Sequence, residues 1–248
     1  MTTAGPHVLI TGGGRGIGRH LVNGFLANGA AVGVLEYDSD LCDELQQLDG
    51  CSAWQCDVSD ADDVDLALSA AFDANFVPNV LINNAGIIHS EPLVNMLSRD
   101  DRVHSRAAWK RVLAVDLDSV FFVTSRVIDY LLARRQTAVV ISISSISASG
   151  NAGQSAYAAA KAGVNALTKT WARELGPLGF RFASVAPGFL DTPSTRSALS
   201  ETTLDRLKQQ IPLRALGDVD HIWQTVRFLI ENDYVNGTVV EVDGGLVL

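Results

Sequence analysis

Cysteine is scarce in this 248-residue chain: Cys42, Cys51 and Cys56, an odd number without Cys-x-x-Cys spacing. That excludes a disulfide framework and makes reduced, buried thiols the expectation. Positive charge is also short, with 19 Lys and Arg against 28 Asp and Glu and a formal net charge of −9. A nucleic-acid binder usually carries a basic footprint, so that class is excluded. No run approaches the ~18 uncharged apolar residues a spanning helix needs. The opening "MTTAGPHVLI" lacks the basic and long apolar regions of a secretory signal. We therefore expect a cytoplasmic protein that partners neither membrane nor nucleic acid. The five histidines, His7, His20, His89, His104 and His221, are scattered, and no metal site is expected from them.

What is present is apolar: 47% of residues, against 19% charged, enough for a sizeable core. Short runs at 7–11, 30–36, 52–58, 79–84, 138–144, 180–186 and 237–243 have strand length, and most are flanked by Gly, Asp, Asn or Pro. Helical patterns lie between them, among them 17–28, 60–74, 107–134, 155–175 and 218–231. Continuous apolar strands separated by helices predict a parallel sheet covered on both faces. The expected architecture is α/β: one doubly wound Rossmann domain over 1–248 with a seven-stranded parallel sheet. Two stretches read as irregular. Residues 89–106 are polar without clean periodicity, and 188–216 hold a loop and a short helix, with 193–215 a candidate lid over the substrate.

"TGGGRGIG" (11–18) joins the first strand to the first helix, with Gly12, Gly16 and Gly18 framing Arg15 and Ile17. Glycines there permit a tight turn and let backbone amides approach a pyrophosphate at the positive helix end. Glu36 closes the second strand, eighteen residues after Gly18. A carboxylate at that point accepts from the adenosine ribose and repels a 2′-phosphate, so NAD is expected rather than NADP. Arg15 is the loop residue suited to the opposite preference.

"YAAAK" (157–161) sets Tyr157 and Lys161 at i and i+4 on one face of an alanine-rich helix. Together with "TGGGRGIG", "CDVSD" (56–60), "NNAG" (83–86), "SISS" (142–145), "APG" (186–188) and "VDGG" (242–245), it makes the chain resemble the short-chain dehydrogenase/reductase family from end to end. The "GNAGQSAYAAAKAG" stretch is similar to the 3-oxoacyl-(acyl-carrier-protein) reductase-like members; polyol dehydrogenase-like members are the other comparison.

The resemblance implies an oxidoreductase that moves a hydride between nicotinamide and a small alcohol or ketone. Asp57 and Val58 would hold the adenine; Asn84, Ala85 and Gly86 would line the ribose channel; Pro187, Gly188 and Thr192 would border the carboxamide. Tyr157 would be the general acid/base. A free phenol is too weak an acid to serve as a base at neutrality, and an adjacent ammonium favours its ionised form. Lys161 would also grip the nicotinamide ribose. The serine that orients the substrate oxygen would be Ser145 by strand register or Ser144 by its distance from Tyr157; register favours Ser145. Ser142 and Ser147 would be structural.

Two departures stand out. Asp116 occupies the place of a family Asn that props a water next to Lys161, and its charge would oppose the effect of Lys161 on Tyr157. The segment before Trp109 is also longer than usual and would reshape one wall of the pocket. The expected activity is interconversion of a secondary alcohol and a ketone, with reduction of a 3-oxoacyl thioester as the alternative. A weakly active dinucleotide-binding regulator is the reading from another class. The resemblance also implies a dimer or tetramer.

Overall fold

The computed structural model describes residues 5–98, 100, 102–198 and 200–248. Seven strands form one parallel sheet: β1 (His7–Thr11), β2 (Ala31–Glu36), β3 (Cys51–Gln55), β4 (Val80–Asn83), β5 (Val139–Ile143), β6 (Arg181–Pro187) and β7 (Thr238–Val242). Their spatial order is β3-β2-β1-β4-β5-β6-β7. β1 thus lies between β2 and β4, and the strand order reverses there. Ligands of doubly wound sheets bind at such a reversal, beyond the carboxyl ends of the strands.

Alternation along β1 explains the two-sided core. Val8 and Ile10 face Leu21, Val22 and Phe25 of α1 (Gly16–Ala27) and Trp223 and Val226 of α9 (Val219–Glu231). Leu9 points the other way, to Val64 and Leu68 of α3 (Ala61–Asp73) and Val123 and Val127 of α5 (Ser119–Ala133). The central residues of β1, β2, β4, β5 and β6 are therefore buried whichever way they point, which is why these runs are mostly apolar.

The remaining helices are α2 (Ser39–Gln46), α4 (Arg106–Leu113), α6 (Ser155–Leu175), α7 (Pro193–Ala198) and α8 (Glu201–Gln210). Periodicity did not single out α2. It is short and carries four acidic or amide side chains, but Asp38 caps it by accepting from the Asp40 and Leu41 amides. The single helix expected over 107–134 is interrupted: a π-turn, Ala114–Asp118, separates α4 from α5. A π-turn widens the helix by one residue and turns side chains to directions a regular helix does not reach. Among its described residues the segment from 87 to 105 has no helix or extended strand. It touches the loop before α6 through a parallel bridge between Glu91 and Gln154, and folds on itself through Val94 and Val103.

Candidate active site

The loop between β1 and α1 is shaped for an anion. Gly12 and Gly16 take positive φ values of 67° and 57°. A Cβ on Gly18 would lie 2.0 Å from the Gly12 carbonyl oxygen and 2.5 Å from Asn84 Nδ2, so only glycine fits there. Asn84 locks the turn from the neighbouring strand, donating to Thr11 O (3.1 Å) and Gly12 O (2.7 Å). Thr11 Oγ1 accepts the amides of Asn84 and Ala85, each at 3.0 Å. Among the described residues no side chain caps the first amides of α1, whose first turn also lacks an acid. A Cβ at Gly16 would meet nothing within 4 Å. Open donors, a positive helix end and an unobstructed approach fit a dinucleotide pyrophosphate.

Glu36 is buried and turned back onto this loop. Its Oε2 accepts the Gly14 amide at 2.7 Å, and Oε1 accepts the amides of Tyr37 (3.1 Å) and Asp38 (3.3 Å). A carboxylate has about four acceptor positions. Three are engaged, so about one remains for a ribose hydroxyl, fewer than the two such bonds expected from sequence. Arg15 is exposed, and among the described residues its guanidinium has no hydrogen-bond or ion-pair partner. Ile17 packs against the core beside the loop. After β3, Asp57 lines a cleft of about 170 Å³ with Tyr37, Gln55 and Asp63, while Val58 is buried in the core. The Asp57 carboxylate is held by Ser59 through its amide (3.0 Å) and hydroxyl (2.6 Å).

Across the strand ends lies the second half of the site. Tyr157 and Lys161 share a face of α6, with Lys161 Nζ 5.5 Å from the Tyr157 ring centre. Tyr157 is half-buried, and its hydroxyl has no partner among the described residues. Lys161 is 4% exposed. Its ammonium donates to Ile143 O at 3.0 Å and stands 3.5 Å from Asp116 Oδ2. Asp116, brought inward by the π-turn, is fully buried and accepts the Ile87 amide at 2.8 Å. Burial pushes its carboxyl above the usual range; the Lys161 charge and the Ile87 amide pull the other way without cancelling that rise. Gly86 packs against the pair: a Cβ there would lie 3.3 Å from Asp116 Oδ2 and 3.4 Å from Lys161 Nζ.

The two candidate serines differ in what their hydroxyls do. Ser144 donates to Lys161 O at 3.3 Å and is 2% exposed. Ser145 is the more accessible, and its oxygen only accepts, from the Ser147 amide at 3.1 Å. Its proton is therefore free for another acceptor. Ser142 pairs with Asn83, and Ser147 donates to Gln154 Oε1, both within the scaffold. On the far side, the Gly188 amide donates to Val242 O at 2.9 Å directly after buried Pro187. Thr192 Oγ1 accepts the Thr195 amide at the start of α7. Sequence reasoning missed Thr11, the Gly14 amide and the Ile143 carbonyl. Backbone groups leave no residue signature, but a threonine directly before the glycine loop was visible.

Glycine loop, acid-tipped second strand, and Ser, Tyr and Lys at one set of strand ends define a nicotinamide-dinucleotide oxidoreductase. Residues 12–247 match the family model described as enoyl-(acyl carrier protein) reductase. The chain belongs to the short-chain dehydrogenase/reductase family, whose members act on CH–OH and C=O groups with a nicotinamide dinucleotide. It is 35% identical over 255 residues to the 3-oxoacyl-(acyl-carrier-protein) reductase of Thermotoga maritima, covering 100% of both chains. It is 38% identical over 258 residues to the human (3R)-3-hydroxyacyl-CoA dehydrogenase, covering 97% of this chain and 95% of that one. Among solved structures, levodione reductase superposes with a TM-score of 0.85 at 29% identity, over 96% of each chain. Among the described residues no helix is long and apolar enough to cross a membrane.

Proposed function

We propose that the protein interconverts a secondary alcohol and a ketone with NAD(H), and that its substrates are 3-hydroxyacyl and 3-oxoacyl thioesters. The observation that carries this reading is the grouping of Tyr157, Lys161 and Ser145 beside the glycine loop, with a free phenolic hydroxyl and a buried ammonium 5.5 Å from its ring. Bound nicotinamide supplies the hydride donor or acceptor. Tyr157 hands its proton to the substrate oxygen in reduction and takes one back in oxidation. Ser145 donates to the same oxygen and fixes its direction. Lys161 would bind the nicotinamide ribose; Asp116 and Ile143 O hold its ammonium in place.

The names of the relatives support a thioester, since two of them reduce or oxidise 3-oxygenated acyl groups on a carrier or coenzyme A. Glu36 supports NAD(H): a buried carboxylate beside the loop repels a 2′-phosphate. The α4–α5 face, with Trp109, Phe121 and Leu132 exposed, is the surface we assign to a dimer or tetramer. Three thiols and no disulfide suit the cytoplasm. Initial rates on acetoacetyl-CoA test the reading. Turnover is expected with both coenzymes, and at least about ten-fold faster kcat/KM with NADH, which corresponds to ~1.4 kcal/mol of discrimination. No turnover with either coenzyme would overturn the thioester assignment, and a preference for NADPH would overturn the role of Glu36.

A further inference from the structure

The long excursion between β4 and α4 brings His104 back to the neighbouring pair His89 and Glu91. His89 Nε2 is 2.9 Å from Glu91 Oε2, and His104 Nδ1 is 3.7 Å from the same oxygen. One candidate ligand atom from each of the three residues lies within 4.8 Å of the other two. We propose that His89, Glu91 and His104 form a binding site for a divalent transition-metal ion of the zinc type, which ties this excursion to the loop in front of α6.

Geometry carries the argument. A tetrahedral ion with bonds of about 2.0–2.2 Å holds its ligand atoms about 3.3–3.6 Å apart. The two separations from Glu91 Oε2, 2.9 and 3.7 Å, straddle that range, and the third pair starts from within 4.8 Å. One oxygen, Glu91 Oε2, is approached by both rings, and at 3.7 Å the second is outside hydrogen-bonding distance. A cation between the three would hold both rings to one carboxylate oxygen, in exchange for the contact of His104 Nδ1 with Ser105 O. Two imidazoles and one carboxylate suit zinc or its neighbours; calcium and magnesium prefer all-oxygen sites.

The frame is already built. The Glu91 amide donates to Gly153 O at 2.7 Å, and the His104 amide donates to Leu93 O at 3.0 Å. Glu91 Oε1 accepts the Ser105 amide at 3.1 Å, which fixes the direction of its other oxygen. His104 is buried, its ring meeting Trp109 and His89 edge-on. Side-chain exposures of 36% for His89 and 29% for Glu91 leave one side open to the incoming ion and to a fourth ligand from solvent.

The proton balance is simple. In the metal-free form His104 Nδ1 faces Ser105 O at 3.0 Å, and His89 Nε2 faces the carboxylate. Each ring ligates once any proton on that nitrogen has moved to its other nitrogen or to solvent, and the His104 contact with Ser105 O is given up when the ion binds. Gln154, bridged to Glu91 and donating to Ser90 Oγ at 3.2 Å, stands three residues before Tyr157. The ion thereby steadies one wall beside the phenol without touching it. The proposal is independent of the reaction assigned to the protein.

The test uses the full chain, stripped with a chelator and titrated with Zn²⁺ by calorimetry, with Co²⁺ absorption reporting the ligand geometry. One equivalent is expected to bind at about micromolar Kd or tighter and to raise the melting temperature. His89→Ala and Glu91→Gln, both at partly exposed positions, are expected to weaken binding at least about ten-fold and abolish the thermal shift. His20→Ala should match wild type. Circular dichroism confirms that the variants are folded. Equal Zn²⁺ affinity in wild type and in both folded variants would overturn the proposal, as would the absence of saturable binding to wild type.

Discussion

Asp116 is the residue with the sharpest individual consequences. It is a fully buried carboxyl whose charge is opposed by burial and supported by Lys161 3.5 Å away. Because burial wins, the folded protein binds the Asp116 proton more tightly than the unfolded chain does. That contribution to stability is complete below the ordinary carboxylate range, and it is lost as pH rises through the raised value. Asp116→Asn cannot lose it. Urea unfolding followed from pH 4 to pH 8 is therefore expected to show wild type losing stability relative to Asp116→Asn as the pH rises; parallel curves would contradict the burial argument. At the same scale the hydroxyl partners support Ser145 over Ser144 as the residue proposed to orient the substrate oxygen. Two adjacent serines look alike in a sequence, and only the fold shows Ser144 spending its proton on Lys161 O while Ser145 keeps its own.

Between residues and the whole molecule, the β1–α1 turn shows how far element-level reading reaches. Its glycines were legible because each answers a backbone demand, and Gly18 faces two neighbours that leave no space for a methyl group. Gly18→Ala is expected to cost about 1–3 kcal/mol of stability, typical of overpacking, and to weaken coenzyme binding. Urea denaturation and coenzyme titration check both effects, and an unchanged coenzyme Kd would count against the pyrophosphate cradle. The strands were equally legible, since full burial on both faces requires continuous apolar runs such as "HVLIT". The π-turn was not. Leu113, Leu117 and Val120 keep a helical apolar spacing straight through it, so the pattern reads as one helix although Asp116 is turned inward. The histidine cluster stayed hidden for another reason: His104 reaches His89 and Glu91 only through the folding-back of the excursion at Val94 and Val103.

For the molecule as a whole, the sheet order places every group named in the active site at one end of the strands, and the two halves of the site meet where β1 and β4 adjoin. The same packing silences the thiols. Burial raises Cys42, pushes Cys51 to about 11 and pushes Cys56 to about 12, with nearby acids adding to the rise at Cys56. Thiolate, the reactive form, is then rare at neutral pH. All three thiols are expected to react slowly with Ellman's reagent in the native protein and rapidly in urea. Fast native labelling of Cys56 would show that the α3 side of the core opens readily. Fold class, strand positions and family membership were thus accessible from the chain alone. The hydrogen-bond assignments that separate one serine from its neighbour, and leave Glu36 a single free acceptor position, required the coordinates.

The central claim is that the Tyr157 hydroxyl moves the proton while the coenzyme moves the hydride. The most direct measurement compares Tyr157→Phe with wild type in NADH oxidation on acetoacetyl-CoA, with NADH affinity measured separately by fluorescence. Loss of that hydroxyl should lower kcat by about 10²–10⁴-fold and leave the NADH Kd within a few-fold of wild type. A variant that turns over as fast as wild type would contradict the account and would leave a dinucleotide-binding protein whose phenol takes no part in chemistry.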